Sequence, residues 1–405
     1  MRLIFTILLA ITGAVVMARP DLPYVVSSAL LPLRVSYEDP NKEALAVAVL
    51  KYTETTWRLF NDWGFLSPPI NPDIGHYQIF VEPLSGASGT TEFDGVNPAT
   101  NWNDCYSYVR INSNKSPDEV TVIAHEFVHV AQKSIDCLQP VFVEAIATYL
   151  QTVAEPKRWR ILVDNAPAFQ SAPWRSLDDQ TYKYGAGLWI YYLASKYAQE
   201  DSPGFIEHIW RTGMQPEGST VASNIYDSIE QTLAKWGGPS FDEAFIDFCE
   251  SRFFVGTKDD GAHMSRASEF AGGEIVPLKQ FTAGELPVLD WSPPIDKRPA
   301  AYGSNHLVLT LQPDLHSIHI VFKGDSTTRW GVRVVVFENS PTRSFELPLS
   351  SANEASIDIE LRGERQLLLA VANLGSESYS PCVGDKCSWP TASYSIHLSA
   401  SEFSR

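Results

Sequence analysis

Residues 125–129 read His125-Glu126-Phe127-Val128-His129, an H-E-x-x-H motif. On an α-helix two imidazoles four residues apart leave one face about a turn apart, a separation at which both can hold one tetrahedral Zn²⁺. Glu126 follows the first histidine directly, so it points off the ligand axis toward the solvent-held position, where a carboxylate can take a proton from a water that the metal polarises. The chemistry implied is metal-assisted hydrolysis, and it requires a third protein ligand.

The positions after the motif narrow the choice. A metzincin would carry Gly three residues after the second histidine and a His or Asp three further on; here Gln132 and Ile135 stand there. An aspzincin would carry Asp three residues before a Tyr-Gly pair, and Thr181 occupies that place before Tyr184-Gly185. A Glu on the next helix remains. The run 139–151 has Glu144 as its only acid, Pro140 to start a helix, and small residues that allow close packing beside the histidine helix. A lone carboxylate between Val143 and Ala145 is costly to bury unless paired or bound to metal, which points to Glu144 rather than to a surface-facing acid.

With these residues the chain resembles the gluzincin zinc metallopeptidases, the thermolysin-like and aminopeptidase-like enzymes. It is most similar to secreted proteins with a His-Glu-Phe-x-His-x-x-Gln helix, then a Glu-x-x-Ala-Thr helix, then a Tyr-Gly helix; the matching stretches are 125–132, 144–148 and 184–197. The order of elements agrees over about 35–255. The resemblance implies His125, His129 and Glu144 as zinc ligands and Glu126 as general base. It also implies a Tyr or His from a later helix to stabilise the oxyanion. Tyr184 is the candidate, with Tyr182 and Tyr149 as competitors. Two positions depart from the pattern. Thr148 stands where thermolysin-like enzymes place an Asp that orients a ligand histidine, so the supporting partner must differ. Phe142 stands near the place where the closer set often has a Trp.

The elements that must position these residues are legible in outline. Ser116-Pro117-Asp118-Glu119 has the form of a capping box, and Val120, Ile123, Ala124, Phe127, Val128 and Ala131 make a broad apolar stripe. Upstream, 33–37, 76–81 and 107–112 read as strands and 41–63 as a helix, with Ala44, Val47, Leu50, Trp57 and Phe60 at helical spacing. The Gly/Ser/Thr/Asn-rich segment 85–103 reads as a loop or irregular edge over the cleft, and an edge strand there could hold a substrate backbone by strand addition. Helical patterns follow at 189–198, 205–211, 220–236 and 241–254.

The C-terminal part has a different texture. From residue 297 short alternating strands recur at 306–311, 317–322, 331–338, 344–349, 355–361, 366–372 and 393–398, after a linker marked by Pro287, Pro293, Pro294 and Pro299. The expected fold is therefore α+β: a zincin-like catalytic domain over 19–296, strands then a helix bundle, followed by an all-β sandwich over 297–405. The sandwich carries no cluster that suggests chemistry and reads as an accessory module for a carbohydrate, protein or surface ligand.

Compartment follows from the N-terminus. Met1-Arg2, an apolar run to Val16 and small residues before Arg19 describe a signal peptide over 1–18, hence a secreted protein with no membrane span in the mature chain. Five cysteines fit that setting: Cys382 and Cys387 would close a small loop, Cys105 and Cys137 bracket the histidine helix and could be joined across it, and Cys249 reads as a buried free thiol. A net charge of −17 over 405 residues argues against nucleic acid and anionic membranes as primary partners. The functional expectation is a secreted zinc peptidase acting on peptides or proteins, with endopeptidase action favoured because no amine-recognition motif stands upstream. The alternative is a secreted binding or adhesion protein on a degenerate zincin scaffold.

Overall fold

In the computed structural model of the protein, residues 19–400 are described, except 139, 340 and 382–386. The chain is α+β. It opens with a five-stranded sheet built from β1 (Tyr24–Ser27), β2 (Leu33–Tyr37), β3 (Tyr77–Glu82), β4 (Gly89–Val96) and β5 (Cys105–Asn112), in the order β1-β2-β3-β5-β4. β2, β3 and β5 run parallel, whereas β1 and β4 are antiparallel edges. α1 (Glu43–Asp62) makes the crossover between β2 and β3 and covers one face. Its buried face includes Leu50, Trp57 and Phe60, as the spacing predicts, together with Leu45 and Val49, whereas Ala44 is exposed and Val47 half-buried.

The segment 85–103, read as a loop or an irregular edge, contains the edge strand β4, whose register shifts between Phe93 and Gly95. Its residues are half-buried almost throughout, so the sequence shows neither the alternation nor the apolar run of a typical strand. Pairing with β5 and contact with the following helix hold it in place.

Helices α2 (Val122–Lys133), α3 (Val143–Ala154), α4 (Arg160–Gln170), α5 (Gly187–Tyr197), α6 (Ser202–Thr212), α7 (Ile225–Lys235) and α8 (Phe241–Ser251) follow. The capping box forms as expected, with the Ser116 N–H and Oγ both donating to Glu119 at 3.0 Å, but it closes a 3₁₀ turn over Pro117–Glu119 before α2 begins. α3 starts at Val143 rather than at Pro140, and the residue before it, Phe142, takes a left-handed conformation with φ of 67°. That strain is offset by burial of the ring, which stacks on Tyr226 at 5.9 Å. α4 had no sequence signal, because Pro167 and polar residues interrupt its pattern.

Two further sheets complete the chain. One has the order β11-β10-β13-β8-β6, from β6 (Lys279–Thr282), β8 (Gly303–Thr310), β10 (Trp330–Phe337), β11 (Arg343–Glu346) and β13 (Gln366–Asn373). The other has the order β12-β9-β14-β7, from β7 (Val288–Trp291), β9 (Ser317–Gly324), β12 (Glu354–Glu360) and β14 (Tyr394–Ala400). Between them lies a core that includes Leu307, Ile320, Phe322, Val334, Leu369 and Ile396. β6 and β7 belong to these sheets although both precede residue 297 and β7 lies inside the stretch read as linker; tertiary pairing gives strand structure to short segments that prolines flank.

The face of the first of these two sheets packs on α8, and Tyr302, Ala370, Ala372 and Leu374 join the core of the helical region. No helix among the described residues is long and apolar enough to cross a membrane. Cys105 and Cys137 stand as free thiols in mutual contact, so the cross-link expected of them is not made here; Cys249 is buried and free, its thiol pushed up to about 12 by burial. The segment read as a signal peptide, and Cys382 of the expected Cys382–Cys387 loop, lie outside the described residues.

Candidate metal centre and cleft

α2 and α3 pack side by side and bring three side chains to one point. His125 Nε2 lies 3.1 Å and His129 Nε2 3.4 Å from Glu144 Oε2, and the two Nε2 atoms are 3.2 Å apart. Four donors around a zinc at ordinary ligand distances are separated by roughly 3.3 Å along each edge of the tetrahedron. Two neutral imidazoles and one carboxylate with these separations fit a zinc ion.

The tautomer of His129 follows from its surroundings. Gln132 donates its amide N–H to the Val143 carbonyl at 3.2 Å, which turns its Oε1 toward His129, whose Nδ1 donates to it at 2.8 Å. With the proton on Nδ1, the Nε2 lone pair faces Glu144. Gln132 thus does for a ligand histidine what the Asp of thermolysin-like enzymes would do. Thr148, in that Asp's place, donates to the Glu144 carbonyl of its own helix at 2.8 Å. Glu144 Oε1 accepts from Lys183 Nζ at 2.8 Å, leaving Oε2 to the histidines. Burial would raise the Glu144 pKa, but the adjacent imidazoles of His125 and His129 and the hydrogen bond from the Lys183 ammonium hold the carboxyl well below the usual range.

Glu126 is 5% exposed and sits against the edge strand. Thr91 of β4 donates to its Oε2 at 2.9 Å. A Cβ on Gly89 would stand 2.8 Å from Glu126 Cγ and 3.0 Å from Oε1, so the glycine makes room for this carboxylate. Burial raises the Glu126 pKa, opposed by the two histidines and the Thr91 hydroxyl.

Tyr184 enters from the segment before α5. Its ring centroid lies 6.1 Å from that of His125, the Lys183 ammonium sits over its ring at 5.0 Å, and the residue is 39% exposed. Burial of the hydroxyl raises its pKa, which keeps it a protonated donor at neutral pH. The two competitors point elsewhere: Tyr182 donates to the Ala172 carbonyl at 3.4 Å and packs on Phe169, and the ring of Tyr149 packs on Tyr191. α5 reaches α3 closely because residue 187 is glycine; a Cβ there would meet Leu162 at 2.9 Å and the Ala145 carbonyl at 3.3 Å.

A cleft of about 430 Å³ runs past these groups, lined among others by Gly89, His125, Glu126, Thr148, Gln151, Arg158 and Tyr184. Sequence reasoning brought His125, Glu126, His129, Glu144 and Tyr184 to the site, and the structure gathers all five. It did not find Lys183, Thr91 or Gly89. Lys183 adjoins Tyr184 in sequence and could have been suspected, whereas Thr91 and Gly89 lie in a strand that had no signal.

The C-terminal sheets support the segment that leads to Lys183 and Tyr184. Residues 173–177 exchange backbone hydrogen bonds with 300–304 at 2.7–3.0 Å: Ala300 N to the Trp174 carbonyl, Ser304 N to that of Pro173, and Leu177 N to that of Tyr302. Asp178, buried, accepts from Trp389 Nε1 at 2.7 Å, from the Tyr379 hydroxyl at 3.0 Å and from Ser176.

Residues 34–381 match the family described as "Family of unknown function (DUF6055)". The chain belongs to that family. The match spans both the helical region and most of the C-terminal sheets. None of the curated proteins matches the chain. Among solved structures, the chain is similar to tripeptidyl peptidase 2, at 12% identity over 34% of this chain and 12% of that one, with a TM-score of 0.21. It is similar also to a family GH115 4-O-methyl-alpha-glucuronidase with specificity for decorated arabinogalactans, at 9% identity over 70% of this chain and 42% of that one, with a TM-score of 0.17. Both solved chains are much longer than the portion matched, and at such TM-scores neither bears on the fold or the site of this protein.

Proposed function

We propose that this protein is a zinc-dependent peptidase with a zincin-like catalytic region, secreted through the segment 1–18. The carrying observation is the convergence of His125 Nε2, His129 Nε2 and Glu144 Oε2 at 3.1–3.4 Å, with the buried carboxylate of Glu126 next to them in the same cleft. When bound, zinc supplies Lewis acidity, which polarises a carbonyl and makes water acidic enough to ionise near neutral pH.

The side chains supply the rest. Glu126, held by Thr91 Oγ1, takes the proton of the attacking water and passes it to the leaving amine. Gln132 keeps the His129 lone pair aimed at the metal position, and Lys183 orients the ligand carboxylate. Tyr184 donates to the oxygen that gains charge when the peptide carbonyl is attacked. β4, an outer strand beside Glu126, offers its free edge to an extended peptide, which suits endopeptidase action.

The test is metal analysis of protein purified without chelators, together with digestion of a broad peptide library. About one zinc per chain is expected in the wild type, with weaker retention in Glu144→Ala and peptide cleavage that tracks zinc occupancy. Wild type that takes up no zinc, or Glu144→Ala that holds it as tightly, overturns the ligand set. Full zinc with no cleavage of any peptide would favour the binding-protein reading instead.

A further inference from the structure

The charged and amide side chains that line the cleft beside the metal centre have partners inside the protein, with one exception. Gln151 Nε2 donates to the Thr121 carbonyl at 3.2 Å, Asn165 Nδ2 to the Ile161 carbonyl at 2.8 Å, and Lys115 pairs with Glu119 at 3.4 Å. Arg158, half-buried at the end of the turn that joins α3 to α4, lines the same cleft. Among the described residues no carboxylate lies within ion-pairing distance of its guanidinium, and no hydrogen bond from the guanidinium is made. A guanidinium presents a planar fork of donors that matches a carboxylate bidentately, and one partly withdrawn from water gains most from such a partner.

We infer that Arg158 is a specificity-determining residue that binds a carboxylate of the substrate in this cleft, so that the preferred peptides carry one acidic group close to the scissile bond. The inference rests on the peptidase reading above and names its substrate class. The net charge of −17 does not oppose it. Charges farther than about 8 Å are largely screened at physiological salt, whereas a guanidinium in contact is not. The overall charge disfavours acid-rich polypeptides, and the local cation favours a single acid among neutral neighbours. The carboxylate can come from an Asp or Glu side chain or from a free C-terminus, and both present the same two oxygens.

The experiment uses full-length, zinc-loaded protein and matched fluorogenic peptides. One series places Glu or Gln at each residue flanking the bond, with both ends blocked; a second keeps neutral residues and leaves the C-terminus free or amidated. Wild type should favour the carboxylate-bearing member of one series by roughly 10- to 100-fold in kcat/KM. Whichever series shows the preference identifies the source of the carboxylate. In Arg158→Gln the ratio should fall to near one, and in Arg158→Lys to an intermediate value. Affinity for the same peptides, read by fluorescence anisotropy on zinc-loaded Glu126→Gln protein with and without Arg158→Gln, gives a readout that needs no turnover. A carboxylate preference in binding that Arg158→Gln removes upholds the inference even if no peptide is cleaved, in which case the peptidase reading alone fails. Equal kcat/KM and equal affinity within both series, or a preference that survives Arg158→Gln, overturns it.

Discussion

Two histidine–carboxylate groupings in this molecule look alike on a contact list and are built to opposite ends. At the seam between the helical region and the C-terminal sheets, His263 gives each ring nitrogen its own acid: Nδ1 pairs with Asp260 at 2.8 Å and Nε2 with Glu250 at 3.1 Å, while the ring stacks on Phe254 at 4.0 Å. Glu250 is further satisfied by the Ser344 hydroxyl at 2.7 Å, and Asp260 by that of Thr342 at 2.9 Å. Both ring nitrogens of His263 and the hydroxyls of Ser344 and Thr342 have carboxylate partners, and the cluster ties elements together. In the cleft, His125 and His129 turn both Nε2 atoms toward one oxygen of Glu144 and toward each other. Two imidazoles and a carboxylate crowded in this way are poorly satisfied by one another, and they are kept so by Gln132 and Lys183 from outside. A saturated cluster stabilises a fold. A convergent one, supported from behind, is suited to a cation.

That contrast can be broken most directly at Glu126. Glu126→Gln should leave zinc content and Tm nearly unchanged and lower kcat by about 10²–10⁴; turnover of a library-selected peptide at matched zinc occupancy decides it, and equal activity would remove the hydrolytic mechanism. Gln132→Ala should weaken zinc binding by roughly 10- to 100-fold, since His129 then loses the group that selects its tautomer. Competition with a chromophoric chelator measures this, and an unchanged affinity would mean that the Val143–Gln132–His129 chain has no influence on the site.

Seam substitutions should behave in the reverse way. Asp178→Ala strips the acceptor from Trp389, Tyr379 and Ser176 and should destabilise the fold by about 2–3 kcal/mol, seen as a lower Tm with zinc stoichiometry retained. Zinc lost before stability would show that the two regions are not separable. The smallest effect is expected at His263. Burial alone would lower its pKa, but the Glu250 and Asp260 carboxylates raise it above the ordinary value. The stabilisation it contributes is therefore complete below the unfolded pKa of about 6.5 and is lost as pH rises through the folded value. The stability gap between wild type and His263→Gln, followed by thermal unfolding, should be widest near pH 6, at up to about 1 kcal/mol, and close toward pH 9. A gap independent of pH would mean that His263 acts by packing alone.

The legibility of the molecule was uneven for physical reasons. Helices α2 and α3 could be read because helix periodicity is local: the stripe of Ile123, Phe127 and Ala131 and the lone acid in 139–151 announce themselves within a dozen residues. β4 could not, because a half-buried edge strand of Gly, Thr and Asp gets its structure from β5 rather than from its own pattern. β6 and β7 were hidden similarly by the prolines around them. The helical stretch α4 was masked by Pro167.

By itself, the sequence determined which side chains could do chemistry. His125, Glu126, His129 and Glu144 are marked by residue type and spacing, since helix geometry converts a separation of four residues into a shared face. The tertiary structure alone decided how those groups are held. Lys183 reaches Glu144 across 39 residues, Thr91 reaches Glu126 across 35, and Asp178 meets Trp389 across 211. Partners that far apart carry no spacing rule, because only packing of whole elements sets their distance, and that packing minimises the exposed apolar surface of the entire chain rather than of any segment within it.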